Sequence, residues 1–459
     1  MINEKFDAFK KYVKGKHISV VGIGISNLPL IKMLNKNGAI VTAYDKKSCE
    51  ELGTVASELT QLGVHLCCGE DYLENLGGEI IFKTPGMRFD HPALVKARNN
   101  GSIVTSEMEV FFEVCPSKII AVTGSDGKTT TTTLIYNILT KSGHKCHLGG
   151  NIGTPLLCST DEIEENDIVV LELSSFQLHT MTKSAHVSVI TNITPNHLDM
   201  HKSYEEYIEA KQNIYLLADK NSTLVVNSTN EESYKCRNTA KGSVRAFGYD
   251  NTCDVFSDKK AIYAFGEKIL DVADIKIPGE HNVQNFMTAI AATYPLYTKE
   301  AVRDVARNFG GVPHRIEFVR ELNGVRYYNS SIDSSPNRTI NTLNVFDKVI
   351  LITGGKDKGI PFDSLGEVLA AKTKHIVLIG KTGPMIKAAL DNYVKKTGVG
   401  KDITTEFCTT YEEAVLSAKK AAVPGDVVLL SNASTSFDMF RNFEERGNLF
   451  KEIVNSLKD

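Results

Sequence analysis

The stretch Thr123-Gly124-Ser125-Asp126-Gly127-Lys128-Thr129-Thr130 constrains this chain more than any other. Before it, Lys118-Ile119-Ile120-Ala121-Val122 reads as a short buried strand, and residues 131–139 read as the following helix. A glycine-rich turn between strand and helix aims backbone N–H groups and a positive helix end at one point, which suits a phosphate chain. In such a loop the Lys128 ammonium meets the terminal phosphates and the Thr129 hydroxyl meets magnesium. The spacing departs from the usual G-x-x-x-x-G-K-[ST], because Val122 stands at the first glycine and Gly124 leads the loop. Residues 129–133 are all threonine, a poor helix former, so local propensity alone does not build this helix. The plainer alternative is a glycine turn before a threonine-rich helix. The strand before it and the Gly-Lys-Thr within it favour ATP, held by Gly124, Ser125, Asp126, Gly127, Lys128, Thr129 and Thr130.

The 459 residues suffice for about three domains of ordinary size. A net charge of −3 gives no general pull toward nucleic acid or anionic membrane. The first residues lack the apolar core of a signal peptide, and no apolar run approaches the ~18–20 residues that span a bilayer. Nine scattered cysteines without a C-x-x-C pair favour reduced thiols in a cytoplasm.

Residues 17–27 form a strand running into the glycine turn Gly22-Ile23-Gly24, then a helix pattern and a second strand, 39–45, ending in Asp45. That acid lies 23 residues after Gly22, near the spacing of a dinucleotide fingerprint, but Asn27 stands where the third glycine belongs. A nicotinamide cofactor is therefore disfavoured, while a nucleotide-binding Rossmann-like unit and a simple glycine turn both remain open. A further strand closes in Thr84-Pro85-Gly86, which can line the same crevice.

Beyond the phosphate loop, apolar strands end in Glu172 and in residues 191–199, which include His197. In a parallel sheet these ends converge beside the loop, making Glu172 and His197 metal or phosphate-side candidates; a helix-starting carboxylate and a loop histidine are the plain alternatives. Residues 204–218 form a helix whose apolar face includes Lys211. Burying a free ammonium there is costly, and snorkelling is the cheaper escape. The other route is a lysine paired in the interior or carbamylated by carbon dioxide into an anion able to ligate magnesium. Asn151 lies in the glycine-rich loop 149–155, and Asn282 and Asn285 begin an alanine-rich helix, where they contact a purine or phosphates unless they merely cap it. Arg315 follows the joint Gly310-Gly311-Val312-Pro313-His314. Three more apolar strands, around 349–353, 376–379 and 427–430, give a second Rossmann-like sheet whose turns hold Lys358 and Ser436.

Together, Thr123 to Thr129, Gly150-Asn151-Ile152-Gly153, Glu172 to Leu178, Asn196-His197-Leu198-Asp199, Pro313-His314-Arg315 and Gly354-Gly355-Lys356-Asp357-Lys358 resemble the Mur ligases, ATP-dependent amino-acid ligases of bacterial cell-wall synthesis. The resemblance runs nearly end to end. It implies an α/β fold of three domains: a Rossmann-like domain for a UDP-sugar (1–106), a central P-loop ATPase with a mostly parallel sheet (107–311) and a Rossmann-like domain bringing the amino acid (312–459). It also implies ATP and two Mg2+ ions. Glu172, His197, carbamylated Lys211 and Thr129 would hold the metals. Ser26, Asp45, Thr84, Pro85, Gly86 and Asn151 would face the UDP-sugar; Asn282, Asn285 and Arg315 would surround ATP; Lys358, Ser436 and Phe443 would receive the amino acid. The implied substrates are UDP-N-acetylmuramoyl-L-alanine and D-glutamate, in a cytoplasmic monomer with no nucleic-acid or membrane partner. Ligation of L-alanine to UDP-N-acetylmuramate, folate glutamylation and a nucleotide-gated ATPase are the alternatives. Two departures stand out. Asp126 replaces a frequent Asn, and the family's Asp-Ser-Lys-Ala-Thr-Asn appears as Ser330-Ser331-Ile332-Asp333-Ser334-Ser335, without its lysine or leading acid.

Overall fold

Apolar runs punctuated by glycine become parallel strands. The computed structural model describes residues 3–24, 27–195 and 200–458, and among them the strands form three sheets. In the first sheet, β1 (His17–Val21), β2 (Ile40–Asp45), β3 (His65–Cys68), β4 (Ile80–Phe82) and β5 (Ile103–Thr105) lie in the order β3-β2-β1-β4-β5, all parallel. The order reverses between β1 and β4, and such a reversal opens a crevice at the carboxyl ends of the strands.

The second sheet contains β6 (Lys118–Thr123), β7 (Cys146–Gly150), β8 (Ile168–Glu172), β9 (Val187–Ile190), β10 (Thr223–Asn227), β11 (Ser243–Gly248), β12 (Val255–Ser257), β13 (Ala261–Ala264) and β14 (Glu267–Asp271). Its order is β14-β13-β12-β11-β10-β9-β6-β8-β7. Neighbours among β6 to β12 pair in parallel, while β13 and β14 extend the edge as an antiparallel hairpin. The hairpin turns through Phe265 and Gly266, both at positive φ (50° and 85°), the backbone that matches a two-residue turn to the strand twist. β6 lies between β8 and β9, so the phosphate loop, Glu172 and Thr191 all emerge at one edge of the sheet.

The third sheet holds β15 (Glu317–Leu322), β16 (Val325–Asn329), β17 (Val349–Thr353), β18 (Thr373–Ile379), β19 (Thr404–Cys408) and β20 (Val427–Leu430), ordered β15-β16-β20-β17-β18-β19. Only the β15–β16 pair is antiparallel among the described strands of this sheet. Leu351, Leu378 and Leu429 pack on one face with Leu365 and Ile386; Ile350, Ile352 and Leu430 pack on the other with Tyr411 and Phe450. Both faces are covered, which is why these strands are continuously apolar instead of alternating.

The chain divides into two compact units, Met1–Ile275 with Glu280–Arg307, and Lys276–Gly279 with Asn308–Asp459. Within the first, one apolar core runs from Ile18, Val20 and Phe82 through Phe111 and Phe112 to Leu171 and Tyr207, so its two sheets share packing.

The threonine-rich helix, Lys128–Lys141, owes its stability to two features invisible to propensity. Thr131 and Thr132 are fully buried. Thr132 and Thr133 hydroxyls donate to the carbonyls of Lys128 and Thr129 at 2.8 and 2.7 Å, satisfying their polar groups inside the helix.

Candidate active site

The phosphate loop is held from behind by the turn after β9. Ser125 N–H donates to Asn192 O (2.9 Å), Asp126 N–H to Asn192 Oδ1 (2.9 Å), and the Thr191 hydroxyl to Asp126 O (2.6 Å). Gly124 has φ +152°, and a Cβ there would fall 1.9 Å from Thr191 Oγ1, so only glycine passes this point. Gly127, left-handed at φ +77°, caps the helix; a Cβ on it would lie 2.5 Å from Asn285 Oδ1. Asn285 is therefore pressed against the loop from 158 residues away in sequence. Its Oδ1 accepts from the Thr131 hydroxyl (3.2 Å) and its Nδ2 donates to Asn282 Oδ1 (3.0 Å). Thr129 and Thr130 occupy the first turn of the helix, half-buried.

Lys128 Nζ donates to Gly124 O and Ser125 O, both at 2.9 Å. Lys211 reaches the same carbonyl from the helix Tyr204–Leu216: its Nζ donates to Gly124 O (2.8 Å) and to Thr123 Oγ1 (3.4 Å), and sits 4.5 Å from the Tyr207 ring centre. Snorkelling, the escape favoured by the residue pattern, does not occur. Lys211 is 2% exposed, because the helix turns this position toward the phosphate loop and not toward water. Burial, with repulsion from Lys128, drives its pKa well below that of an ordinary lysine. Two lysine head groups converging on one carbonyl make a site that calls for an anion or for a neutral Lys211.

Glu172 ends β8 and is 2% exposed. Its Oε1 accepts from Asn151 Nδ2 (2.7 Å), while Asn151 N–H donates to Glu172 O (2.8 Å). Among the described residues its buried Oε2 has no hydrogen-bond partner. Gly150 lets Asn151 approach: at φ +96°, a Cβ would sit 2.2 Å from Glu172 O. His197 lies outside the described residues, as does Ser26.

The crevice of the first sheet gathers the other predicted contacts. Asp45 Oδ2 accepts from Ile23 N–H (2.7 Å), and a Cβ on Gly22 would come 3.1 Å from Thr84 Cβ, so Asp45 and Thr84-Pro85-Gly86 flank one glycine turn. Arg315, Lys358, Ser436 and Phe443 belong to the second unit. There, Lys356 and Thr435 exchange backbone bonds (2.9 and 3.2 Å), placing the turn that carries exposed Lys358 beside the turn of buried Ser436. Phe443 O accepts from the Ser331 hydroxyl (2.7 Å), and its ring meets His314 edge-on at 5.9 Å.

Several polar groups escaped the sequence reading. Asp333, 4% exposed, accepts from Thr342 (2.7 Å) and Ser431 (2.8 Å) hydroxyls, and burial raises its pKa. Glu107 is buried and accepts from Leu157 N–H (3.0 Å); burial pushes its carboxyl up to about 7. Asp333 lies in the altered stretch Ser330 to Ser335 and Glu107 in no motif, and burial of an isolated acid leaves no periodic trace.

Residues 122–293 match the Mur ligase middle domain, and residues 314–433 match the Mur ligase, glutamate ligase domain. The chain is 52% identical over 465 aligned positions to the UDP-N-acetylmuramoylalanine–D-glutamate ligase of Acetivibrio thermocellus, covering 100% of both chains. It is 51% identical to the Clostridium kluyveri ligase of the same name, covering 99% of this chain and 100% of that one. Among solved structures, the UDP-N-acetylmuramate–alanine ligase of Thermotoga maritima superposes with a TM-score of 0.58 at 20% identity, over 96% of this chain and 100% of that one, a likeness of fold. A mixed α/β chain with parallel-rich sheets, matched end to end by curated relatives at this identity, belongs to the Mur ligase family.

Proposed function

We propose that this protein is an ATP-dependent ligase that joins D-glutamate to UDP-N-acetylmuramoyl-L-alanine through an acyl phosphate, in peptidoglycan precursor synthesis. The observation that carries the reading is the 52% identity along the whole chain to a ligase named for that reaction. The strand order β3-β2-β1-β4-β5 supports a Rossmann-like domain over residues 1–106, followed by a central ATPase (107–311) and a Rossmann-like amino-acid domain (312–459). In this reading the chain acts as a cytoplasmic monomer.

In this mechanism Lys128 and the N–H groups of the loop grip the phosphate tail of ATP. Asn282 and Asn285, which buttress the loop, would line the nucleotide site, and Arg315 would contact ATP. Asp45, Thr84, Pro85, Gly86 and Ser26 hold the UDP portion, and Asn151 orients the muramoyl arm. The terminal carboxylate of the L-alanyl group attacks the γ-phosphorus, the bond to the β,γ-bridging oxygen breaks, and ADP leaves. Lys358, Ser436 and Phe443 would receive D-glutamate; its amine, having given up its proton to water, attacks the acyl carbon, the bond from that carbon to the phosphate oxygen breaks, and phosphate departs as the amide forms. Positioning and charge neutralisation are the protein's share.

The donors present fit magnesium. The unpartnered Oε2 of buried Glu172 is a hard oxygen in need of a cation. Glu172, Thr129, His197 and Lys211 as its carbamate would hold two ions. Bound there, they would neutralise charge on the phosphates and the substrate carboxylate. A neutral Lys211 amine, as its lowered pKa favours, is the form that adds carbon dioxide.

Phosphate release with UDP-N-acetylmuramoyl-L-alanine and a panel of amino acids tests the function. Stimulation by D-glutamate is expected. Hydrolysis indifferent to any amino acid, or stimulation by L-alanine on UDP-N-acetylmuramate, would overturn it.

A further inference from the structure

Arg88 belongs to none of the motifs above. It stands two residues after Gly86 and lines an open cavity of about 490 Å3 together with Tyr72, Thr84, Gly86 and His91. Its guanidinium also reaches into the second sheet's surroundings. One terminal nitrogen donates to Met200 O (2.6 Å) and Glu206 Oε2 (3.1 Å), and the other to Glu206 Oε1 (2.8 Å). Asp90 takes the remaining donors at 2.8 and 3.1 Å. Paired donation to one carboxylate is a geometry that guanidinium makes and ammonium does not.

Glu206 sits in the first turn of the helix Tyr204–Leu216, five residues before Lys211, and also accepts from Lys202 N–H (2.6 Å). The hydrogen-bonded Arg88 guanidinium holds its carboxyl down at about 2, so the pair stays charged at neutral pH. Ion pairs that keep partial contact with water add little to stability, whereas a guanidinium whose donors all go to three residues, Asp90, Met200 and Glu206, fixes their relative placement.

We propose that Arg88 is a positioning residue: it ties the turn that faces the nucleotide-sugar to the first turn of the Lys211 helix, so that a seated nucleotide-sugar sets the placement of that helix against the phosphate loop. The proposal rests on the assignment of Asp45 and Thr84 to Gly86 to the nucleotide-sugar.

The test uses the full chain and steady-state ligation with UDP-N-acetylmuramoyl-L-alanine varied, in Arg88→Glu, Glu206→Arg, the double exchange and Arg88→Lys. Each single reversal should lower kcat on the order of 10²-fold with unchanged melting, as misplacement of a reacting group by about 1 Å does. The double exchange should recover most of that loss. Arg88→Lys, which keeps the charge and loses the fork, should lower kcat about tenfold. Single variants within about twofold of wild type, a double exchange no better than the worse single, or kcat losses that only follow lowered melting would overturn it. Asp45→Ala separates the two layers. A raised KM for the nucleotide-sugar alongside normal kcat in Arg88→Glu defeats this inference alone, whereas an unchanged KM in Asp45→Ala defeats the crevice assignment and this inference with it.

Discussion

Lys211→Met dissociates stability from catalysis. Methionine matches the length of the lysine stem and removes the buried ammonium. Gly124 O keeps a donor, because Lys128 Nζ also reaches it at 2.9 Å. The folded state disfavours the Lys211 ammonium, so between its lowered folded pKa and the 10.5 of an exposed lysine the unfolded chain binds the extra proton. Wild-type stability therefore rises with pH across that window, at up to about 1.4 kcal/mol per pH unit, and the methionine variant lacks this contribution. Each pH unit inside that window therefore changes the difference by at most about 1.4 kcal/mol, or roughly 2 °C in melting temperature for a unit of this size. Melting of both proteins in carbon-dioxide-free buffer, from about pH 7.5 to about pH 9.5, reads it directly. Lys211→Met should melt higher at the acid end, and the gap should close toward the alkaline end. Ligation should fall on the order of 10²–10³-fold throughout. Melting curves that stay parallel with pH would refute the buried-ammonium argument, and retained turnover would refute the role of Lys211 in the site.

Glu107→Gln should behave in the opposite sense. A carboxyl raised from 4.5 to about 7 favours the protonated folded state, so wild-type stability falls as pH rises through that interval. The glutamine variant, which can still accept from Leu157 N–H, should be more stable by about 3 kcal/mol at pH 8 and no different near pH 5 in chemical denaturation. Gly150→Ala forces a non-glycine residue to φ +96° with its Cβ 2.2 Å from the Glu172 carbonyl. A cost of about 2–5 kcal/mol follows, and because Asn151 and Glu172 shift, ligation should fall even where calorimetry shows the protein folded. Lys128→Ala should lower ligation on the order of 10²–10³-fold with melting unchanged; wild-type-like turnover would remove the phosphate loop from the mechanism.

The strand–loop–helix at residues 118–141 was legible because glycine at a forced turn, an apolar run before it and a lysine within it are local signals. The same is true of the parallel strands, whose unbroken apolar runs announce burial on both faces, and of the helix 204–216 with its apolar stripe. The hairpin β13–β14 was not, since its Phe265-Gly266 turn carries no Asn-Gly signal. Nor was the division of the chain into two compact units, because the packing shared by the first two sheets depends on which buried faces meet.

The sequence by itself determined the chemistry on offer: a lysine and threonines at a phosphate cradle, an acid ending a strand, an amide in a glycine loop. Tertiary structure alone decided what those groups experience. It turned Lys211 inward against Gly124, left one oxygen of Glu172 without a donor, pressed Asn285 onto Gly127 and joined Arg88 to Glu206 across 118 residues. The physical reason is that a pKa, an unpaired lone pair and a close contact are properties of the space around an atom. That space is filled by residues far away along the chain.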